Sequence, residues 1–145
     1  MPEVPRRICF DTNVVLDVLL DRAPFAQPAA RLIDAVAQGD VEGLLGATTL
    51  TTVDYILRRH RDRAVARQGL LWLLALFDVA PVARPALEAA LVLDWPDFED
   101  AVLHEAARLA RAEALVTRNA ADFGAATLAV YTPDELLAIL KRDPA

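Results

Sequence analysis

Short apolar runs alternate with amphipathic helical stretches along nearly the whole chain, and this alternation constrains the fold more than any other feature. A brief apolar run reads as a strand, whereas apolar residues recurring at spacings of three and four read as one face of a helix. Strands are expected at residues 8–10, 43–47, 79–82, 114–116 and 128–131, the second of them weakly signed. Helices are expected at 14–20, 25–38, 50–61, 63–76, 85–93 and 97–112, with one more from residue 133. Asn13 can cap the first helix, Gly39 can close the second, and the Trp95-Pro96 step breaks the chain before Asp97. The last helix is the best signed, with Thr132 as cap, Pro133 at its first position and Glu135 closing a capping box. The helix at 63–76 carries an apolar face through Leu70, Leu71, Trp72 and Leu74, continued by Phe77. Strands alternating with helices in this way imply an α/β fold layered about a short, mostly parallel sheet.

A chain of 145 residues with 55% hydrophobic content has the size of one ordinary domain and enough apolar mass for a core, so residues 1–145 read as a single domain. The one cysteine, Cys9, lies in the run Ile8-Cys9-Phe10, which excludes an intrachain disulfide and fits a buried thiol in a reducing cytoplasm. Arg6-Arg7 ahead of apolar residues has the look of an export signal, but Asp11 and Asp17 interrupt the run. No uncharged stretch exceeds the 11 residues of 43–53 and 123–133, so no membrane span is expected. The net charge of −6 argues against a protein that holds nucleic acid by a diffuse basic surface. One segment reverses the balance: Arg58, Arg59, Arg61 and Arg63, followed by Arg67, stand against Asp62 alone. It is either a solvated junction between two helices or a patch that steers phosphates or binds a partner.

In sheets of this kind active residues gather beyond the carboxyl ends of the strands. Asp11 emerges there in Phe10-Asp11-Thr12-Asn13, and so does the segment Thr117-Arg118-Asn119-Ala120-Ala121-Asp122-Phe123. Asp97 and Asp100 open a helix at spacing i, i+3 and share one face. Carboxylates drawn together repel by roughly 4 kcal/mol per pair at about 4 Å and an effective dielectric near 20, so such a cluster needs a compensating cation. Oxygen ligands without a Cys or His cluster suit Mg²⁺ or Mn²⁺, and metal-activated attack on a phosphodiester is chemistry such a site supports. Each acid also has a local explanation. Asp97 can be a helix cap with Asp100 favouring the helix dipole, Asp11-Thr12-Asn13 can be a strand-to-helix turn, and Asp122 can cap a single turn. These explanations leave the order and joint spacing of the acids unaccounted for. Asp17, Asp21, Asp34 and Asp40 read as ordinary solvent-face or loop charges.

With these residues in view, the chain resembles the PIN-domain ribonucleases, particularly the toxins of VapBC-type toxin–antitoxin pairs. The resemblance rests on Phe10-Asp11-Thr12-Asn13, on the run from Ala47 through Leu57, on Asp97-Phe98-Glu99-Asp100-Ala101 with Ala106-Ala107, and on Val116-Thr117-Arg118-Asn119 with Asp122-Phe123. It implies a three-layer α/β/α sandwich, divalent-metal cleavage of RNA by an acidic cluster, a frequent homodimer and an antitoxin that blocks the site. Carried over residue by residue, it makes Asp11 and Asp100 the main metal ligands. Asp122 or Asn119 takes the place of the acid after the last core strand, and Asp97 is an additional acid. Thr12 is expected to orient the site, with Thr117 and Asn119 in support. Many family members also carry an acid where this chain has Thr52, and Asp54 lies about 200° further round a helix, so it cannot simply substitute.

The expected activity is therefore hydrolysis of RNA with Mg²⁺ or Mn²⁺ held by Asp11, Asp100 and Asp122, with Asp97 beside them. The alternative is a PIN-fold binding or regulatory protein that cleaves weakly or not at all, which Thr52 and Asn119 would explain. A haloacid-dehalogenase-type phosphatase fits poorly, because it wants a second Asp where Asn13 stands. His60 and His104 form no pair by spacing and are read as non-catalytic, His104 being the nearer to Asp100.

Overall fold

In the computed structural model, which describes residues 4–141, five strands alternate with helices. Residues 1–3 and 142–145, included in the single-domain reading, lie outside the described residues. The strands are β1 (Arg7–Phe10), β2 (Glu42–Gly46), β3 (Asp78–Ala80), β4 (Ala114–Val116) and β5 (Ala129–Tyr131). The helices are α1 (Thr12–Leu19), α2 (Ala26–Ala37), α3 (Ala47–His60), α4 (Arg63–Leu76), α5 (Arg84–Leu93), α6 (Phe98–Leu109) and α7 (Pro133–Lys141). All four strand pairings are parallel, in the order β3-β2-β1-β4-β5.

Both faces of the sheet are covered, which is why its strands read as continuous apolar runs. Ile8, Phe10, Leu45, Ala114 and Val116 pack with buried residues of α1, α2, α3, α4 and α7 on one side. Cys9, Leu44, Ala80 and Leu115 pack with α5 and α6 on the other. Successive residues of a strand thus enter opposite cores, as a period of two requires, and the three-layer α/β/α sandwich follows. Gly46 lets α6 settle against the end of β2, since a Cβ there would lie 2.7 Å from Leu103 Cδ1.

The sequence reading fails in places with physical reasons. Asp11, and not Asn13, occupies the N-cap of α1. The expected apolar face of α4 is mostly on the outside: Leu71, Trp72 and Leu74 are exposed, while Ala66, Gly69 and Leu73 are buried. Consecutive apolar residues wrap around a helix and cannot share one stripe; the buried set follows the helical period. Helix α6 stops at Leu109, short of residue 112, and the chain turns at Arg111 with φ 66°. The capping box of α7 forms as expected, with Glu135 N–H donating to Thr132 Oγ1 at 3.3 Å and Thr132 N–H to Glu135 Oε1 at 2.9 Å.

Candidate metal centre

The strand order reverses direction between β1 and β4, and the crevice at such a switch point lies beyond the strands' carboxyl ends. Asp11 leaves β1 there, its N–H donating to Val116 O of β4 at 2.9 Å. One carboxylate oxygen of Asp11 accepts the Thr12 N–H at 2.7 Å. The other accepts the Thr117 hydroxyl at 2.8 Å and Asn13 Nδ2 at 3.4 Å. Thr117 is fully buried and its own N–H is spent on Tyr131 O, so its hydroxyl reaches Asp11 from a fixed base. Every one of these bonds to Asp11 comes from an uncharged donor.

Helix α6 brings the second group. Asp97 is its N-cap and accepts the Asp100 N–H at 3.1 Å, so the local capping explanation is correct and compatible with a place in the cluster. Asp122 sits in a single 3-10 turn, Ala120–Phe123, that follows β4. Asp97, Asp100 and Asp122 line one cavity of about 370 Å³, walled in part by Trp95 and Pro96.

The charges of the acids act on one another. Burial, then the negative charges of Asp97, Asp11, Asp122 and Glu99, push the Asp100 carboxyl up to about 7. Asp11 is raised too, by burial first and then by Asp122 and Asp97, against hydrogen bonds from Thr117 and Thr12 that lower it. Acids from three separate stretches therefore feel one another's charge, while Glu99 acts on Asp100 alone, as its exposed neighbour in sequence. Among the described residues no three His, Cys, Asp or Glu side chains form a ready-made ligand set. The donor chemistry nonetheless fits a hard cation held by one or two carboxylates with water completing its shell, the habit of Mg²⁺.

The other candidate residues divide. Thr12 holds Asp11 through its backbone N–H, while its hydroxyl lies 2.9 Å from that of Thr49, a buried residue not foreseen. Asn119 is exposed and donates its N–H to Thr117 Oγ1 at 3.1 Å. Thr52 is half-buried, and Asp54 pairs with Arg58 at 3.0 Å, so α3 adds no carboxylate to the charges that raise Asp11 and Asp100. His104 is buried, accepting the N–H groups of Thr127 and Leu128 at Nε2 while Nδ1 meets Glu105 at 2.9 Å, which ties α6 to the approach of β5. The arginines fall elsewhere. Arg58, Arg63 and Arg67 line a groove of about 280 Å³ with Leu70, Leu71 and Leu74, Arg59 donates to Tyr55 Oη, and Arg61 to His60 O.

Asp17 overturns its reading as a solvent-face charge. It is 2% exposed, with Arg22 Nε 2.8 Å from Oδ1 and Arg118 Nε 3.4 Å from Oδ2. Its spacing of one turn from buried Val14 was the available signal.

A PIN-domain family model matches residues 7–121 of the chain. No curated protein matches it. Among solved structures, a toxin–antitoxin complex from Klebsiella pneumoniae is similar at 23% identity and TM-score 0.67, covering 87% of this chain and 97% of that one. VapBC2 from Rickettsia felis, bound to a promoter DNA fragment, matches at 13% identity and TM-score 0.68, covering 86% and 97%. VapC20 of Mycobacterium tuberculosis, a toxin that cleaves the sarcin–ricin loop, matches at 16% and 0.61, covering 74% and 86%.

Proposed function

The chain belongs to the PIN-domain family, and on that premise we propose that it is a metal-dependent ribonuclease, the toxin of a toxin–antitoxin pair. The observation that carries this reading is the mutual field of Asp11, Asp97, Asp100 and Asp122 beyond the ends of β1 and β4. Like-charged side chains that no cation among the described residues neutralises are a feature of sites that bind a metal or do chemistry. A protein of the same fold, VapC20, is an RNA-cleaving toxin, and other similar structures are toxin–antitoxin complexes.

Asp11 and Asp100, with Asp122 and Asp97, would hold Mg²⁺ or Mn²⁺, which when bound supplies an acidified water and stabilises charge on the phosphoryl oxygens. The protein's own part is orientation. Thr117 Oγ–H and the Thr12 N–H fix the rotation of Asp11 and favour its ionised form against burial. Asp97 spends one oxygen on the α6 cap, which sets where its carboxylate points. Asp100 keeps its proton up to about pH 7 while the cluster is unneutralised and yields it when positive charge arrives. No covalent nucleophile from the chain is required.

An antitoxin and a homodimer need surface, and the exposed apolar residues of α4 and α5, among them Leu71, Leu74, Leu91 and Val92, offer it. No helix among the described residues is long and apolar enough to cross a membrane, and Cys9 is a free buried thiol; both accord with a cytoplasmic protein. The test is RNA incubated with the protein in Mn²⁺, in EDTA, and with Asp11→Asn, where only the first should cleave. A second reading, a PIN-fold binding protein of weak activity, is favoured because Thr52 stands where many family members carry an acid and Asp54, the acid of α3, is paired with Arg58. RNA bound but uncut in Mn²⁺ would select it.

A further inference from the structure

Arg118 touches α1 twice. Its backbone N–H donates to Asn13 Oδ1 at 3.3 Å, and its Nε lies 3.4 Å from Asp17 Oδ2. Asn13 and Asp17 are one helical turn apart on the same face, so a single residue of the segment after β4 clasps that face at two levels. The guanidinium carbon lies 4.2 Å from the centre of the Phe25 ring. Nε is buried and forms no hydrogen bond, so charge and the Phe25 face hold it. Asp17 Oδ1 is engaged by Arg22, whose backbone N–H also bonds Asp17 O at 2.9 Å. The carboxylate is thereby fixed in rotation with Oδ2 turned to Arg118.

The residues on either side of Arg118 serve the acid cluster. Thr117 donates its hydroxyl to Asp11 Oδ2, and that hydroxyl accepts the Asn119 N–H. Asp122 follows through its N–H to Asn119 O at 3.0 Å. We propose that Arg118 is a positioning residue for the acid cluster, clasping Asn13 and Asp17 to hold residues 117–119 against α1 so that the Thr117 hydroxyl stays on Asp11 and Asp122 stays beside it. A carboxylate needed only for the stability of α1 would be satisfied by Arg22 from its own loop. The second cation comes instead from the segment that shapes the site. The consequence for metal binding rests on the ribonuclease reading above; the clasp itself does not.

The experiment compares Arg118→Ala, Arg118→Lys and Asp62→Ala, the last removing the side-chain cap of α4 as a control for stability alone. Amide hydrogen exchange at Arg118 and Asn119 is read in the metal-free protein, and Mn²⁺ affinity by calorimetry. Arg118→Ala should speed exchange at those two amides about tenfold or more through local opening, with the strands unaffected. It should also weaken Mn²⁺ about tenfold, the lower range for loss of an outer-shell partner. Arg118→Lys, which keeps the charge, should restore part of both, and Asp62→Ala should change neither. Unchanged exchange in Arg118→Ala, or the same acceleration in Asp62→Ala, overturns the proposal. If the wild type binds no Mn²⁺, the metal-site reading fails by itself, and exchange at the two amides still decides the clasp.

Discussion

Asp11 and Asp17 stand at the cap and in the body of the same helix and meet burial in opposite ways. Asp17 is sealed from water and flanked by two arginines. Asp11 has hydroxyl and amide donors only, and the charges that reach it are those of other acids. The fold therefore has the means to neutralise a buried carboxylate here and does so about 1.7 turns from Asp11. At the strand ends it leaves the charge standing. A protein that conflicts with its own electrostatics in one place, while satisfying them beside it, makes that place the candidate for function, and the proposed metal site rests on this contrast.

The contrast is tested most severely by activity. Asp11→Asn and Asp100→Asn should each lower metal-dependent RNA cleavage by at least about 10³-fold, some 4 kcal/mol of transition-state stabilisation. Turnover at the wild-type rate under the same Mn²⁺ concentration would show that the cluster is not the reactive site.

Stability should move in opposite directions at the two aspartates. Asp17→Asn leaves two guanidinium groups facing an uncharged amide in a sealed position and should cost about 3 kcal/mol in urea denaturation, the scale of a broken buried ion pair. Asp11→Asn removes one member of a repelling set and should leave the metal-free protein as stable or slightly more so. Equal destabilisation by both would erase the distinction.

The same logic gives a pH dependence. The folded-state carboxyl of Asp100 stands at about 7 against an ordinary 3.8, so between those limits the folded state binds more protons than the unfolded one, and the penalty of the charged form grows as pH rises. Compared with Asp100→Asn, the metal-free wild type should be equally stable near pH 4 and less stable at pH 7.5. The gap should be about 1 kcal/mol, well below the unscreened value because Asp100 is partly open to solvent. Saturating Mn²⁺ should close it. A gap that widened toward low pH would reverse the assignment of the shift.

Much of this was legible in the sequence, for a physical reason. Strands buried on both faces leave apolar runs, and caps leave Asp, Thr and Pro at fixed offsets, so the alternation of elements, the α7 capping box and the Asp97 cap could all be read. Asp17 was misjudged because a charge looks solvent-facing until its partners are known, and Arg118 lies a whole fold away in sequence. The face of α4 was misjudged because Leu70 to Leu74 is continuous, which hides the period. Thr49 could not be found, since nothing local announces a hydroxyl that meets Thr12 across two elements.

Thr49 also bears on the acid that many family members carry on α3. Thr52 is one turn beyond Thr49 and so on the side that faces Thr12, whereas Asp54 is turned away to Arg58. Thr52→Glu should therefore tighten Mn²⁺ binding, by about threefold to tenfold if the added oxygen reaches the ion. Calorimetric titration would measure it. Equal or weaker binding would mean that Asp97 already supplies that ligand or that the alignment at Thr52 is wrong.

The smallest expected effect lies in the region most unlike the acid cluster. At the junction of α3 and α4 the arginines are exposed, and Arg58 is already paired with Asp54, so their worth to stability is slight. From Thr49 to Arg58 the chain rises about 14 Å along α3, which places the patch away from the acids and suits it to long-range attraction of a polyanion. If it steers RNA, Arg58→Gln with Arg63→Gln should weaken binding alike for all RNA sequences. The slope of log affinity against log salt should flatten by about 1.4, because two phosphates of a single strand would no longer be neutralised, with Mn²⁺ affinity unchanged. If it receives an acidic partner instead, cleavage would persist while binding of the proposed antitoxin weakened. A double variant that changed neither would return the arginines to the role of a solvated helix junction, leaving the acid cluster to recruit its substrate through bound cations alone.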